Sequence, residues 1–314
     1  MTNFLTVAQQ VAVLFVLMGV GFALNRRKLL DDVAVKGVVN VLILLVTPCI
    51  IIDVFQRPFD QSMLKGLGVA FVLSVAGHLL AIALSYALVH HSAEKTRTVL
   101  RVATVFSNSG FMGIPLEYAI LGDKGVFYGI VYVAVFNLFM WSWGYCTMRG
   151  SGADGKLPIA MMLVNPGTVG IAIGLPLFFL PVELPAIVRD PIHLMAGLNT
   201  PLAMIVIGYY LAEAKVMTAV RMKMAWVASA IRLIGYPLLV LLMMYPFRAS
   251  LDWHMMLALV IAASSPVAAM VSMFAARYDR DVDVSVAMVS GTTLLSIVTM
   301  PVVVALAMEV LTIA

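Results

Sequence analysis

Charge is the scarcest commodity in this chain. Of 314 residues only 11% are Asp, Glu, Lys or Arg, against about 25% in an ordinary soluble domain. Twenty basic and 16 acidic side chains are too few to wet the surface of a soluble fold this long. The net charge is only +4, with no basic block, which excludes nucleic acid as a partner. Cysteine is nearly absent. Cys49 and Cys146 both lie inside apolar runs and read as small buried hydrophobes, without CxxC or metal-ligand spacing. There is no HExxH, GxSxG or GxGD pattern, so an intramembrane enzyme is not expected, nor a catalytic residue, a metal site or an organic cofactor. What is abundant is apolar: 62% of the residues, with a mean hydropathy of +1.03.

A bilayer core about 30 Å thick needs roughly 20 apolar residues per helix. Ten segments qualify, at roughly 5–24, 33–54, 66–89, 102–121, 124–147, 157–180, 192–212, 224–247, 254–276 and 284–308. They predict an all-α polytopic membrane protein of ten transmembrane helices. The first run has no Lys or Arg before it and Arg26, Arg27 and Lys28 just after it. That is the reverse of a cleavable signal, and an outside amino terminus is expected. The other loops agree. The odd-numbered ones carry 14 basic residues (Arg26, Arg27, Lys28, Lys36, Lys95, Arg97, Arg101, Arg149, Lys156, Lys215, Arg221, Lys223, Arg277, Arg280), and the even-numbered ones carry 5 (Arg57, Lys65, Lys124, Arg189, Arg248). The positive-inside rule then places both termini outside.

Ten spans divide into five and five near Gly152, giving halves 1–150 and 151–314 of opposite orientation. Subtracting 156 from second-half positions brings Asn199 near Asn40, Pro201 near Pro48, Arg232 near His78 and Pro266 into the stretch Ser107–Pro115. Together these suggest an inverted repeat, the design of many secondary transporters. The fourth span holds Ser107-Asn108-Ser109-Gly110-Phe111-Met112-Gly113-Ile114-Pro115, and the ninth holds Ser264-Ser265-Pro266. Proline removes a donor and clashes with the preceding turn, so each helix should break. At about 1.5 Å per residue both breaks fall near the midplane. Open backbone in hydrocarbon costs several kcal/mol per group, so such breaks must line a cavity or pack on one another. The half-helices that follow aim free N–H groups and positive dipole ends inward, suiting an anion such as a carboxylate. Asn108, Ser109, Gly110, Ser264 and Ser265 are the candidate substrate-binding residues. A plain kink of packed helices explains one such span less strainedly than two at equal depth.

Other polar groups carry less. Arg232 and His78 lie at mid-depth. Arg232 can either meet a substrate carboxylate or cap carbonyls freed by a broken helix. His78 reads first as a packing residue. Glu117 and Asp53 fall toward the outer ends of their spans, Asp279, Asp281 and Asp283 form a charged turn, and Trp141, Trp143 and Trp253 suit interface anchoring.

The run Asn108–Pro115 resembles the fourth-span signature of the auxin efflux carrier family, whose bacterial members include malonate and malate permeases. Asn40 to Pro48, Asn165-Pro166, Leu198–Ala203, Arg232-Leu233, Ser265-Pro266 and Gly291–Ser296 with Pro301 also fit, so the resemblance spans essentially the whole chain. It implies two inverted five-helix repeats similar to sodium/bile-acid symporters and sodium/proton antiporters, with helices 4 and 9 crossing at Gly113, Pro115 and Pro266 and substrate beside them. It implies a scaffold of helices 1, 2, 6 and 7, a moving transport domain of helices 3–5 and 8–10, and a homodimer through the scaffold. It places Asn137 near the crossing as a substrate or ion ligand. The expected function is alternating-access transport of a mono- or dicarboxylate, auxin-like or malonate/malate-like, across a bacterial cytoplasmic membrane. Substrate, direction and any proton or sodium coupling stay open; Asn108, Asn137, Thr292 and Ser296 can supply the oxygen cluster a sodium ion needs, and equally can form a site that binds no ion. An ion-coupled symporter of the bile-acid type is the alternative, with an anion channel behind it.

Overall fold

The computed structural model describes residues 2–150, 166–180, 183–213 and 221–312. The joint near Gly152, Asn165 and Lys215 lie outside the described residues. The described chain is helical throughout, and its only β-type pairing is one isolated antiparallel bridge, Ser107 to Val267. The helices are α1 (Thr2–Arg26), α2 (Asp32–Phe55), α3 (Gln61–Leu88), α4 (Glu94–Val105), α5 (109–121), α6 (123–149), α7 (Pro166–Phe179), α8 (Ala186–Gly197), α9 (Asn199–Glu213), α10 (Lys223–Phe247), α11 (Trp253–Ser264), α12 (Met270–Arg277) and α13 (Val282–Thr312).

Seven described stretches are long and apolar enough to cross a membrane, and α7 and α11 are shorter apolar helices. One of the seven, Ser109–Arg149, has 41 residues, about 60 Å at 1.5 Å per residue and twice a bilayer core. It is not straight. Gly122 takes φ 62 and ψ −158, a backbone region closed to side-chain-bearing residues. The chain doubles back there, so that Gly129 of α6 lies against Glu117 of α5.

Several helices carry a single widened turn. These occupy Leu42–Val46, Ser109–Gly113, Met140–Gly144 and Ile231–Gly235. Three are followed two residues later by proline, at Pro48, Pro115 and Pro237. A proline ring displaces the carbonyl four residues earlier, and the wide turn takes up that displacement without ending the helix. These prolines therefore shape continuous helices.

Packing falls into two groups joined by α1, which packs on α13 as well as on α9. α1 lies along α9, while the Thr47–Phe55 part of α2 packs on α7 and α8. α11 lies among α5, α6, α10 and α13, and α3 packs on α4 and α6. The α1–α9 contact is backbone to backbone. A Cβ built on Gly208 would lie 1.9 Å from the Met18 carbonyl oxygen, and one on Gly21 would lie 2.1 Å from that of Ile205. Small residues permit such approaches where lipid leaves no hydrophobic force between helices.

Polar contacts gather at the helix ends. At one end Lys95 pairs with Asp279, Thr96 donates to Asp281 at 2.6 Å, and Arg280 reaches the Met148 carbonyl at 2.6 Å and Glu94 at 3.4 Å. Lys95 holds the exposed Asp279 carboxyl below its ordinary range by hydrogen bonding and charge. At the other end Lys124 meets Asp252 at 2.8 Å, and Asp252 caps α11 by accepting from the His254 and Met255 N–H groups.

Candidate functional site

Two helices break in the middle of the bundle. α4 ends at Val105, and Phe106 is extended at φ −101, ψ 114. α11 ends at Ser264, and Ser265 is extended at φ −62, ψ 147. The two extended pieces pair. The Asn108 N–H donates to the Pro266 carbonyl at 2.6 Å, and the Ala268 N–H donates to the Phe106 carbonyl at 3.0 Å, on either side of the Ser107–Val267 bridge. The Val267 N–H, facing away from that pair, donates to Thr292 Oγ1 at 3.0 Å. Each break thus satisfies the backbone groups the other leaves open, as low-dielectric surroundings require.

The centre of this crossing is Ser107, with Pro266 inside it. Pro115 stands beyond the crossing, in the continuous helix α5, where it follows the widened turn at Ser109–Gly113. Gly113 touches the crossing from that helix. A Cβ there would lie 3.3 Å from Ser265 Oγ and 3.5 Å from Ala262 Cα.

Four helix ends meet at the crossing, and their charges are sorted. Arg232, fully buried within the Ile231–Gly235 turn, donates to the carbonyls of Thr104 at 3.3 Å, Val105 at 2.8 Å and, most closely, Ala263. Those carbonyls are the negative ends of α4 and α11, so one guanidinium neutralises both. Its plane also lies 4.4 Å from the Tyr236 ring centroid. Of the two roles open to Arg232 in the sequence, carbonyl capping is the one its contacts display.

The positive ends are left open. α5 starts at Ser109 and α12 at Met270, each preceded by a residue whose side chain does not cap it. In α12 the Val271 and Ser272 N–H groups turn back to the Ala268 and Ala269 carbonyls at 3.0 and 3.1 Å. The open N–H groups are therefore that of Met270 and those at the start of α5, which have no earlier turn to donate to. Burial changes at the same places. Asn108 and Ser109 are buried while Gly110 and Phe111 are half-buried; Ala268 is buried while Ala269 and Met270 are half-buried. Ser109 Oγ is buried with no hydrogen-bond partner. Ser264 and Ser265 both donate to the Ile261 carbonyl, at 2.9 and 3.2 Å, keeping oxygen lone pairs free.

Tyrosine hydroxyls that no sequence pattern pointed to extend the site. Ser107 Oγ lies 3.3 Å from the Tyr132 hydroxyl, which lies 3.2 Å from that of Tyr236. His78 stands beside them, its ring centroid 5.0 Å from Tyr132 and its Nδ1 2.8 Å from the Ser74 carbonyl. Asn137 donates to the Val133 carbonyl one turn back at 3.0 Å. Ser296 donates to its own helix, to the Thr293 carbonyl at 2.6 Å. Among the described residues no cluster of His, Cys, Asp and Glu is arranged to hold a metal ion.

Comparison with known proteins fits this architecture. A family model described as membrane transport protein matches residues 6–304. An uncharacterized transporter of Methanothermobacter thermautotrophicus is 28% identical over 206 residues, which cover 64% of this chain and 65% of that protein. The match therefore spans a little under two thirds of the relative's length. The family match runs through every helix of the crossing, and the chain belongs to the auxin efflux carrier-like membrane transport family as an integral, multi-pass membrane protein.

Proposed function

We propose that the protein is a secondary carrier that moves a small organic anion, a mono- or dicarboxylate, across the bacterial cytoplasmic membrane by alternating access. One observation carries this. At the crossing the two negative helix ends are neutralised by Arg232, while the two positive ends open onto half-buried surface at Gly110–Phe111 and Ala269–Met270. A carboxylate there would be held by backbone N–H groups and by Asn108, Ser109, Ser264 and Ser265. In this reading the chain has ten spans in two inverted halves, 1–150 and 151–314, with both termini outside. The α1, α2, α7, α8 and α9 group is the scaffold and dimer face, and α3–α6 with α10–α13 is the moving transport domain. The packing of α2 on α7 and α8, and of α11 among α5, α6, α10 and α13, supports that division, with α1 joining the two by packing on both α9 and α13.

Uptake of radiolabelled malonate, malate and indole-3-acetate into proteoliposomes tests it. A hydrogen bond to a charged ligand is worth about 1.5–3 kcal/mol, so Asn108→Ala is expected to weaken apparent affinity about tenfold or more. Wild-type transport with unchanged affinity in Asn108→Ala would remove Asn108 from the site. Protein-dependent uptake of none of the three anions would refute the carboxylate assignment.

A further inference from the structure

Glu117 has no electrostatic explanation in the site described above. It lies on α5, is fully buried, and neither carboxyl oxygen has a hydrogen-bond partner. Among the described residues no Lys, Arg or His nitrogen lies within 4.0 Å of it. The carboxyl fills a notch made by a missing side chain: a Cβ on Gly129 of α6 would lie 1.7 Å from Oε2. The charged and titratable groups on the surrounding helices are engaged elsewhere. Lys124 is on Asp252, Arg57 is on the Val54 carbonyl and over the Phe127 ring, His254 is beside Asp252, His78 is on the Ser74 carbonyl, and the Tyr128 hydroxyl turns toward Gly66 of α3.

A carboxylate anion cannot be kept in such a place. Isolated ionised groups in apolar surroundings cost far more than a fold can supply, and the group takes up a proton instead. Even a neutral acid without partners costs several kcal/mol relative to water. An apolar side chain would fill the notch more cheaply, and ionisable groups inside membrane helices mark function. Position adds the link to transport. Glu117 is four residues beyond Gly113, on the same face of α5, and Gly113 packs on Ser265 at the crossing.

Resting on the carrier reading, we propose that Glu117 is a proton-binding site that couples anion movement to proton movement. Its carboxyl holds a proton while α5 and α6 are packed as here. When the helices part and water reaches the Gly129 notch, the O–H bond breaks, the proton leaves to solvent on that side, and a carboxylate remains. Reprotonation from the opposite side completes the cycle. One proton then accompanies each anion, and for a monoanion the net charge moved is zero.

Two measurements test this separately from the carrier reading. The infrared spectrum of purified protein at neutral pH should contain a protonated-carboxyl C=O band that shifts on deuteration and is absent in Glu117→Gln; this needs no substrate. In proteoliposomes, an acid-outside pH gradient should raise [14C]malonate uptake by the wild type. Glu117→Gln, an isostere of the neutral acid, should keep malonate exchange but lose the gradient response, and Glu117→Asp should retain it with a shifted pH midpoint. A spectrum unchanged by Glu117→Gln, or a gradient response that survives in it, overturns the proposal. Absence of malonate, malate and indole-3-acetate uptake in the wild type, with the infrared band present, would instead count against the carboxylate reading.

Discussion

Replacing Arg232 by Met is the most direct test of how the crossing is held. Methionine keeps much of the side-chain length but donates nothing, so the Thr104, Val105 and Ala263 carbonyls lose their shared donor. A buried acceptor left unsatisfied costs about 1–3 kcal/mol, and three of them about 3–9 kcal/mol. Against this, the guanidinium no longer has to be stripped of water, a penalty of several kcal/mol for a buried ion. The net expectation is a loss of about 3–4 kcal/mol. At roughly 2–4 °C per kcal/mol for larger chains, the unfolding midpoint should fall about 6–16 °C. Arg232→Lys keeps the charge but not the fork that spans two helix ends, and should lose about half as much. The assay is thermal unfolding in detergent, followed by the fraction remaining monodisperse after heating. A midpoint in Arg232→Met within about 2 °C of wild type would refute the capping argument. A raised KM at an unchanged midpoint would place Arg232 on the substrate instead.

Two further substitutions probe close helix contacts. Gly208→Ala sets a Cβ 1.9 Å from the Met18 carbonyl, and Gly21→Ala sets one 2.1 Å from that of Ile205; each should cost about 1–3 kcal/mol. The double variant should cost less than the sum, because helices already pushed apart admit the second methyl more easily. Additive midpoints would mean the two contacts are independent. Gly129→Ala, which drives a Cβ into Glu117 Oε2, should destabilise strongly, yet be nearly silent in a Glu117→Ala background where the carboxyl is gone. Equal destabilisation in both backgrounds would show that Glu117 does not occupy the Gly129 notch.

The all-helical, membrane-spanning character was legible in the residues because apolar run length is a one-dimensional quantity. The break at Ser264-Ser265-Pro266 was legible too, since proline cannot continue the hydrogen-bond ladder. Pro115 misled on position. The break on the fourth span falls at Phe106–Asn108, where no proline stands, because it is set by pairing with Pro266 and Ala268 on a distant segment. Local chemistry does not encode that pairing. Pro48, Pro115 and Pro237 widen turns instead, since a single wide turn is cheaper than a broken span. Depth counting also set Glu117 near the outer end of its span without showing its burial. Rise per residue gives height along a helix but not which side faces a neighbour, and the room for Glu117 is made by Gly129 across the Gly122 turn. The choice for Arg232 was undecidable in the same way, as its acceptors lie 127, 128 and 31 residues away.

The glycine contact between α1 and α9 has a consequence for biogenesis. Gly21 and Gly208 are almost 190 residues apart in the chain. At about 5–20 residues per second of synthesis, the first helix leaves the ribosome roughly 10–40 seconds before its partner exists. Throughout that interval its glycine face has only lipid, or the insertion machinery, to lie against. Insertion of the first helix and its assembly are therefore separate events in time, and a chaperone-like membrane factor that shelters small-residue helix faces would act in that window.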